Sequence, residues 1–251
     1  MVDTQRFEAN AEIYARARPP YPTALWDRIG ELGLLRPGAR ALDLGAGTGQ
    51  ATGPIAAAGL HVTAVEPGPR LAAELRAAHP DVEVVVARAE DLNKLPLSAA
   101  SFDLAVAATS IHWMDLDLVM PILRRLLTPG GTLLVWRNVF GDPARSTPFR
   151  DHVAAIVRER KVPQRPGPDA EDPDIATDAL TRSGMFFAQE VHHYRWSVEL
   201  DEKQVHRLFI TFSDWSAAEV EGAAAAVRSL GGRVLEHYGS WLIVLKPVPT
   251  A

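Results

Sequence analysis

The chain has 251 residues, of which 47% are hydrophobic and 23% charged, and it contains no cysteine. This composition is typical of a folded globular protein, and it excludes intrinsic disorder, a disulfide framework, a thiolate zinc site and a cysteine nucleophile. The net charge of -5 comes without a run of like charges, so the sequence shows no electrostatic footprint for a nucleic acid.

The N-terminus is charged and lacks the apolar core of a signal peptide. No segment reaches the roughly 18 consecutive apolar residues of a membrane span. We therefore expect a cytoplasmic protein with neither a membrane nor a nucleic-acid partner. The sequence does not indicate its oligomeric state.

Residues 1–38 are predicted to form an N-terminal helical cap. Phe7, Ile13, Leu25 and Ile29 recur at loosely helical spacing around the break "RPPYP". The prolines of this break prevent one continuous helix. We expect the helical pieces to cover the active site of the domain that follows.

Short apolar runs rich in β-formers alternate with helical segments from residue 40 onwards. The predicted strands are "ARALDLGAG", "HVTAVEP", "VEVVVARAE", "FDLAVAAT" and "TLLVWRN". The predicted helices are "TGPIAAAG", "RLAAELRAAHP" and "DLVMPILRRLLTPGG", the last with a Pro-Gly-Gly stop. Continuous apolar strands separated by such helices indicate a parallel sheet covered on both faces. The predicted fold class is therefore α/β, an open doubly wound, Rossmann-like domain.

Residues 141–174 are the least regular part of the sequence and are dense in proline and charge. This pattern predicts a mobile connection or lid, with a plain linker as the alternative. Beyond it, "QEVHHYRWSVEL" predicts a strand, "DEKQVHRLFITF" a helix opened by Asp201, and "SAAEVEGAAAAVRSLGG" a second helix. The run "RVLEHYGSWLIVLKP" would then complete the sheet of a domain that spans residues 39–251.

The turn "DLGAGTG" after the first strand places bare backbone at the carboxyl end of the sheet. Open α/β folds bind ligands at that edge. Glycine allows close approach and left-handed dihedral angles, and the N–H groups that open the next helix face the ligand. Taken alone, the turn fits nicotinamide, flavin and nucleotide enzymes alike, or a purely structural turn.

Two acidic residues narrow the choice of ligand. Glu66 ends the second strand, where a carboxylate can accept both ribose hydroxyls of an adenosine, although a solvated glutamate is the alternative. Asp43 lies two residues before Gly45 in an apolar strand, and a buried carboxylate there needs hydrogen bonds or a cation. It would repel a pyrophosphate but suit a ligand with ammonium and sulfonium groups, as in S-adenosylmethionine.

Five ordered segments resemble the class I S-adenosylmethionine-dependent methyltransferases over roughly residues 40 to 137: "LDLGAGTGQ", "VTAVEP", "ARAEDL", "FDLAVAATSIHW" and "RRLLTPGGTLLVW". The flank "FEANAEIYARARPPYP" and the His-Trp pair are similar to a small-molecule subgroup that includes trans-aconitate and juvenile hormone acid methyltransferases. The resemblance implies a seven-stranded sheet of order 3-2-1-4-5-7-6 whose last strand is antiparallel.

The resemblance also implies a set of cofactor-binding positions: Tyr14, Arg18, Asp43, Gly45, Ala46, Gly47, Glu66, Pro67, Ala89, Glu90 and Ala107. The glycine turn would hold the methionine part, with Asp43 behind it near the amino group. The second strand tip would bind the ribose, the third the adenine, and the fourth the ammonium group. Tyr14 and Arg18 would approach the methionine carboxylate, which a guanidinium fork suits. Arg88 stands where many relatives carry an aspartate.

Methyl transfer from a sulfonium is a single in-line displacement, for which the protein holds the acceptor atom about 3–3.5 Å from the methyl group. His112 is the best-placed histidine for a catalytic base, and a histidine that tethers a loop is the alternative. A base is unnecessary when the acceptor is already a carboxylate. Aromatic residues after the fourth strand permit an apolar or aromatic acceptor, and Arg137 and Arg145 suit an acidic one.

The sequence thus favours a small-molecule methyltransferase that uses S-adenosylmethionine, with an O-, N- or C-acceptor and a slight preference for a carboxylate or hydroxyl. A nicotinamide-dependent oxidoreductase would require a third glycine where Gln50 stands. A non-catalytic cofactor-binding protein is the other alternative. We expect no metal site, because His192 and His193 point to opposite faces of a predicted strand.

Overall fold

Seven strands form one sheet in the computed structural model, which describes residues 17–142, 144–160, 169, 171–212 and 214–249. The strands are β1 Arg40–Leu44, β2 His61–Val65, β3 Glu83–Val85, β4 Phe102–Ala108, β5 Leu127–Phe140, β6 Phe186–Asp201 and β7 Arg233–Pro247. Their order is β3-β2-β1-β4-β5-β7-β6. β7 runs antiparallel to both of its neighbours, and the other pairings are parallel. The predicted Rossmann-like fold, strand order and antiparallel last strand are confirmed.

Helices within the described residues cover both faces of this sheet. They are α1 Thr23–Glu31, α2 Thr52–Ala57, α3 Pro69–Ala78, α4 Leu116–Leu126, α5 Pro148–Arg158, α6 Pro173–Thr181, α7 Glu202–Phe209 and α8 Ala217–Ser229. Two 3₁₀ turns, Ala89–Lys94 and Ile111–Trp113, follow β3 and β4. In this described part of the chain, no helix is both long and apolar enough to span a bilayer.

The central strands are buried on both faces because alternate residues of each strand enter different cores. Leu42 and Leu44 of β1 pack in a core with α4, whereas Ala41 packs in the opposite core with α1 and Trp136. Because these side chains are packed in the two cores, they are not available to a ligand. The strand tips and the loops after them are.

Helix α4 ends directly before the Pro-Gly-Gly sequence, as predicted. Its last residue is Leu126, and β5 begins at Leu127. Leu127 pairs with Phe102, and the register then shifts before Thr132 pairs with Leu104. Residues 129–131 lie at this shift, in an irregular start to the strand.

Residues 141–174 were predicted to be irregular, but they contain the helix α5, so this prediction is corrected. Thr147 caps this helix by accepting a hydrogen bond from the backbone N–H of Arg150, and Pro148 occupies its first turn. Phe149 and Val153 are buried in a third core together with residues of α7 and α8. Part of the segment is thus an integral element of the fold, while residues 161–168 lie outside the described part of the chain.

Helix α1 lies in the described portion of the predicted N-terminal cap, residues 17–38. Leu25 and Ile29 are buried in the same core as the adjacent face of the sheet. Arg28 of this helix donates a 2.6 Å hydrogen bond to Glu190 of β6. These contacts tie α1 to the sheet, whereas residues 1–16, including Tyr14, lie outside the described residues.

Candidate active site

A cavity of about 670 Å³ lies at the carboxyl ends of β1, β2, β3, β4 and β5. Eight of the predicted site residues line it: Arg18, Gly45, Ala46, Gly47, Glu66, Pro67, Ala89 and Glu90. At the tip of β4 the lining residue is Ala108, whereas the predicted Ala107 is fully buried next to it. Asp43 and His112 lie outside the lining.

The glycine turn after β1 fits closely between the tips of β2 and β4. Gly45 and Gly47 adopt left-handed φ values of 65° and 58°, which glycine tolerates best. The N–H groups of Gly45 and Ala46 both donate to the Val65 carbonyl, at 2.8 and 3.1 Å. A Cβ atom on Gly45 would lie 2.6 Å from the Cβ of Ser110. At Gly45 the turn therefore presents backbone to the cavity, because a Cβ atom there would overlap Ser110.

Glu66 joins this turn to the loop before α3. Its side chain is almost entirely buried, and its two carboxylate oxygens accept 2.8 Å hydrogen bonds from the N–H groups of Gly47 and Gly68. The carboxylate thus holds the glycine turn against the loop before α3, and Glu66 also lines the cavity.

Asp43 lies directly behind the turn and is fully buried. One carboxylate oxygen accepts a 2.6 Å hydrogen bond from Thr52, and the other has no partner among the described residues. Burial, with the nearby negative charge of Glu66, raises the pKa of Asp43 to about 7. A cation in the cavity would favour the ionised form of this carboxyl group.

Glu90 and Arg88 form a pair at the tip of β3. The Arg88 guanidinium donates to both carboxylate oxygens of Glu90 at 3.2 and 3.3 Å, and the N–H of Asp115 donates to one of them at 3.0 Å. Burial opposes ionisation of Glu90, but these hydrogen bonds outweigh it and lower its pKa. Both residues line the cavity, so Arg88 acts here as a partner that orients the Glu90 carboxylate.

His112 contacts Arg137 of β5. The Arg137 Nη1 atom lies 3.0 Å from His112 Nδ1 and 3.2 Å from Nε2, and the imidazole packs on Trp113 with ring centroids 4.4 Å apart. Burial, together with the positive charges of Arg137 and Arg18, lowers the pKa of His112 to about 3. A neutral imidazole held in this way is better suited to tethering a loop than to accepting a proton. The role of His112 as a catalytic base stays a prediction.

Residues of the N-terminal flank also line the cavity, among them Arg18 and Tyr21. Arg18 donates a 3.2 Å hydrogen bond to the Thr211 carbonyl, and its guanidinium lies 4.8 Å from the centre of the Phe212 ring. The Tyr21 hydroxyl is 3.1 Å from the Thr109 hydroxyl. Thr109 has a φ of 57°, which is unusual for a β-branched residue and places local strain at the β4 tip.

The end of the cavity beyond β4 is lined by residues for which the sequence analysis assigned no specific role: Asn138, Phe140, Leu208, Phe212 and Tyr238. Phe140 and Phe212 belong to the aromatic residues that favoured an apolar acceptor. Tyr238 was not predicted to be a site residue. Its only signal in the sequence is its place in the alternation of apolar and polar residues along the closing strand. Among the described residues, no group of three or more His, Asp or Glu side chains is arranged to bind a metal.

Both the sequence and the structure of this chain are similar to those of known proteins. Residues 42–135 match the family described as "Methyltransferase domain". An uncharacterized methyltransferase of Mycobacterium tuberculosis is 40% identical over 193 residues, which span 76% of this chain and 70% of that protein. The malonyl-[acyl-carrier protein] O-methyltransferase of Erwinia billingiae is 29% identical over 140 residues, or 53% of this chain and 55% of that protein.

A solved structure with a similar fold comes from Anaeromyxobacter dehalogenans and belongs to a candidate type II methyltransferase. It matches with a TM-score of 0.65 and 26% sequence identity, and the match covers 93% of this chain and 99% of that one. The similarity therefore extends well beyond residues 42–135, which match the family.

Proposed function

This chain belongs to the class I S-adenosylmethionine-dependent methyltransferases, and from that premise we propose that it transfers the methyl group of S-adenosylmethionine to a small molecule. The observation that carries the proposal is the cavity in which the glycine turn, Glu66 and Glu90 converge at three neighbouring strand tips. Class I enzymes place the parts of one extended cofactor along such an edge.

We assign the described lining residues to parts of the cofactor. The backbone of Gly45, Ala46 and Gly47 contacts the methionine part, and Glu66, next to Pro67, accepts the ribose hydroxyls. Ala89 and Glu90 border the adenine. The support for this assignment is the order of the residues along the sheet, together with the place of Glu66 in the cavity lining.

The charges near the turn suit the methionine part. Asp43, with one unpartnered oxygen, and the backbone around Ala107 and Ala108 stabilise the ammonium group. Arg18, which lines the cavity, pairs with the carboxylate, and the same role is predicted for Tyr14, which lies outside the described residues.

The chain's own residues position the acceptor and exclude water. When bound, S-adenosylmethionine supplies the methyl group through its sulfonium. Arg18, Tyr21 and the β4 tip close the cavity around the reacting atoms, which strengthens the electrostatic interactions inside it. No covalent attachment to the enzyme is required for an in-line displacement.

The far end of the cavity favours an acceptor that needs no base. The described residues lining that end are Asn138, Phe140, Leu208, Phe212 and Tyr238, with no Asp, Glu or His among them. A carboxylate reacts without prior loss of a proton. The Erwinia billingiae relative is named for an O-methylation, which agrees with an oxygen acceptor.

Two experiments test the proposed function. Calorimetry with S-adenosylmethionine, S-adenosylhomocysteine and NAD should show micromolar binding of the two sulfur compounds and none of NAD. A labelled-methyl assay with a panel of small acids, phenols and amines should then transfer label to at least one of them. Binding of NAD without a response to the sulfur compounds would contradict the proposed cofactor. Label found only on proteins would contradict a small-molecule acceptor.

A further inference from the structure

Strand β6 forms one edge of the sheet over its whole length of 16 residues. Among the described residues it pairs with β7 only, and none of its residues from 187 to 199 is buried. Alternate residues of an edge strand direct their backbone N–H and C=O groups away from the neighbouring strand, where they can pair with another chain. Within the described part of the protein, β6 is therefore open to a further strand.

The charged residues in the second half of β6 are arranged symmetrically about Ser197. Arg195 precedes Ser197 by two positions, and Glu199 follows it by two. Because side chains alternate along a strand, all three lie on the same face of the sheet. The side chains of Arg195 and Glu199 are 77% and 56% exposed. Two copies of β6 that pair in antiparallel orientation about Ser197 thus place each Arg195 directly opposite Glu199 of the partner subunit.

The other face of the same segment is also self-complementary. Trp196 and Val198 flank Ser197 and are half-buried against the core that contains α7 and α8. In the pairing about Ser197, Trp196 comes opposite Val198 of the partner subunit. Aromatic and β-branched side chains form favourable cross-strand pairs. One register therefore suits both faces of the strand.

Other symmetric registers match the charges less well. A two-fold axis perpendicular to the sheet pairs only residues that share a face, which excludes Glu190 opposite Arg195. An axis at Arg195 or at Glu199 would set like charges against each other. Moving the axis one residue beyond Ser197 would pair Arg195 with Asp201, whose carboxylate already caps α7. The charges thus favour the register centred on Ser197.

The contacts that Arg195 and Glu199 make within the chain leave room for this pairing. The Arg195 Nε atom lies 3.5 Å from a carboxylate oxygen of Asp142, and Glu199 accepts a hydrogen bond from Arg233. Ion pairs of such exposed side chains contribute little to stability. A guanidinium has five N–H donors and a carboxylate has two acceptor oxygens, so each group can also bind a second partner.

We propose that the protein forms a symmetric dimer in which β6 pairs antiparallel with β6 of a second copy of this chain about Ser197. The two sheets become one continuous sheet, and two ion pairs between Arg195 and Glu199 form across the axis. The described cavity lining contains no residue of β6, so this proposal does not depend on the proposed methyl transfer.

The test measures the molar mass of the full chain in solution by analytical ultracentrifugation over a concentration series. The variants R195E and E199R each set like charges against each other at both pairs. In a mixture of the two, R195E carries acidic residues at both positions and E199R basic ones, so opposite charges return in the mixed dimer. The matched controls R182E and D117R make the same charge changes at the exposed ion pair of Arg182 and Asp117, outside β6. Urea unfolding is recorded for every variant.

We expect a dimeric wild type, and R195E and E199R should each weaken the dimer about 10-fold or more, because like charges directly opposite each other repel. The equimolar mixture should recover the dimer, and both controls should match the wild type. A monomeric wild type, an undiminished dimer in both variants, an equal loss in the controls, or no recovery in a mixture of the folded variants would each overturn the proposal. If E199R does not fold, the wild type, R195E and R182E still decide the outcome.

Discussion

Replacing Gly45 by alanine should destabilise the protein more than replacing Gly47 by alanine. Both glycines have left-handed φ values, 65° and 58°, so a Cβ atom at either position carries a dihedral cost of about 1–2 kcal/mol. Only at Gly45 does the added Cβ also meet another group, since it would lie 2.6 Å from the Cβ of Ser110. At Gly47 the nearest atom is a Gln50 oxygen at 3.8 Å, an ordinary contact.

The magnitude follows from what Ser110 does. Its hydroxyl donates a buried 2.6 Å hydrogen bond to the Leu44 carbonyl, so moving Ser110 away from a new methyl group disrupts the link between β4 and β1. Overpacking costs about 1–3 kcal/mol, and the lost hydrogen bond about 1 kcal/mol. Together with the dihedral cost, G45A should lower the unfolding free energy by about 3–6 kcal/mol. G47A should lower it by about 1–2 kcal/mol.

Urea unfolding of the wild type and the two variants measures this difference. A double-mutant cycle with S110G isolates the contact, because S110G removes the Cβ that the new methyl group would meet. In the S110G background, the G45A cost should fall to that of G47A. Equal losses for the two single variants, or no relief in the S110G background, would refute the contact as the reason for glycine at position 45.

Three further predictions concern the charged and titratable residues of the site. E66A should weaken S-adenosylhomocysteine binding by on the order of 1–3 kcal/mol in calorimetry, and unchanged affinity would remove Glu66 from the site. H112N should keep turnover in the labelled-methyl assay within several-fold of the wild type, because the ring lies against Arg137 with a pKa lowered to about 3; a loss of roughly 100-fold or more would establish a base. D43N should flatten the pH dependence of stability. The pKa of Asp43 is raised from 3.8 to about 7 in the folded chain, so its contribution is present below pH 3.8 and is lost as pH rises to about 7. Urea unfolding between those pH values tests this, and an unchanged slope in D43N would contradict the raised pKa. Glu236 contributes to the same pH dependence of stability, because burial also raises its pKa to about 7. This contribution should remain in D43N.

The central fold was predictable because its signals are local. Apolar runs of strand length alternate with helices between residues 40 and 137, and this period alone predicts a parallel sheet covered on both faces. The glycine turn and Glu66 follow directly from that alternation, since each sits at the end of a predicted strand. These residues could be placed in one cavity before any coordinates were known.

Local signals were misleading where packing decided the outcome. The prolines and charges of residues 141–174 predict an irregular connection, yet helix α5 forms there because Phe149 and Val153 are buried against α7 and α8. These contacts join elements that are distant in sequence.

The sequence by itself determined the family, the sheet and the residues at the tips of the first strands, because each depends on a short contiguous pattern. Only the tertiary structure decided what surrounds them. It placed His112 against Arg137, and it brought Tyr238 opposite Phe140, nearly a hundred residues away, through the pairing of β5 with β7. Such neighbours arise from strand register and burial, for which no local spacing in the sequence is a signal.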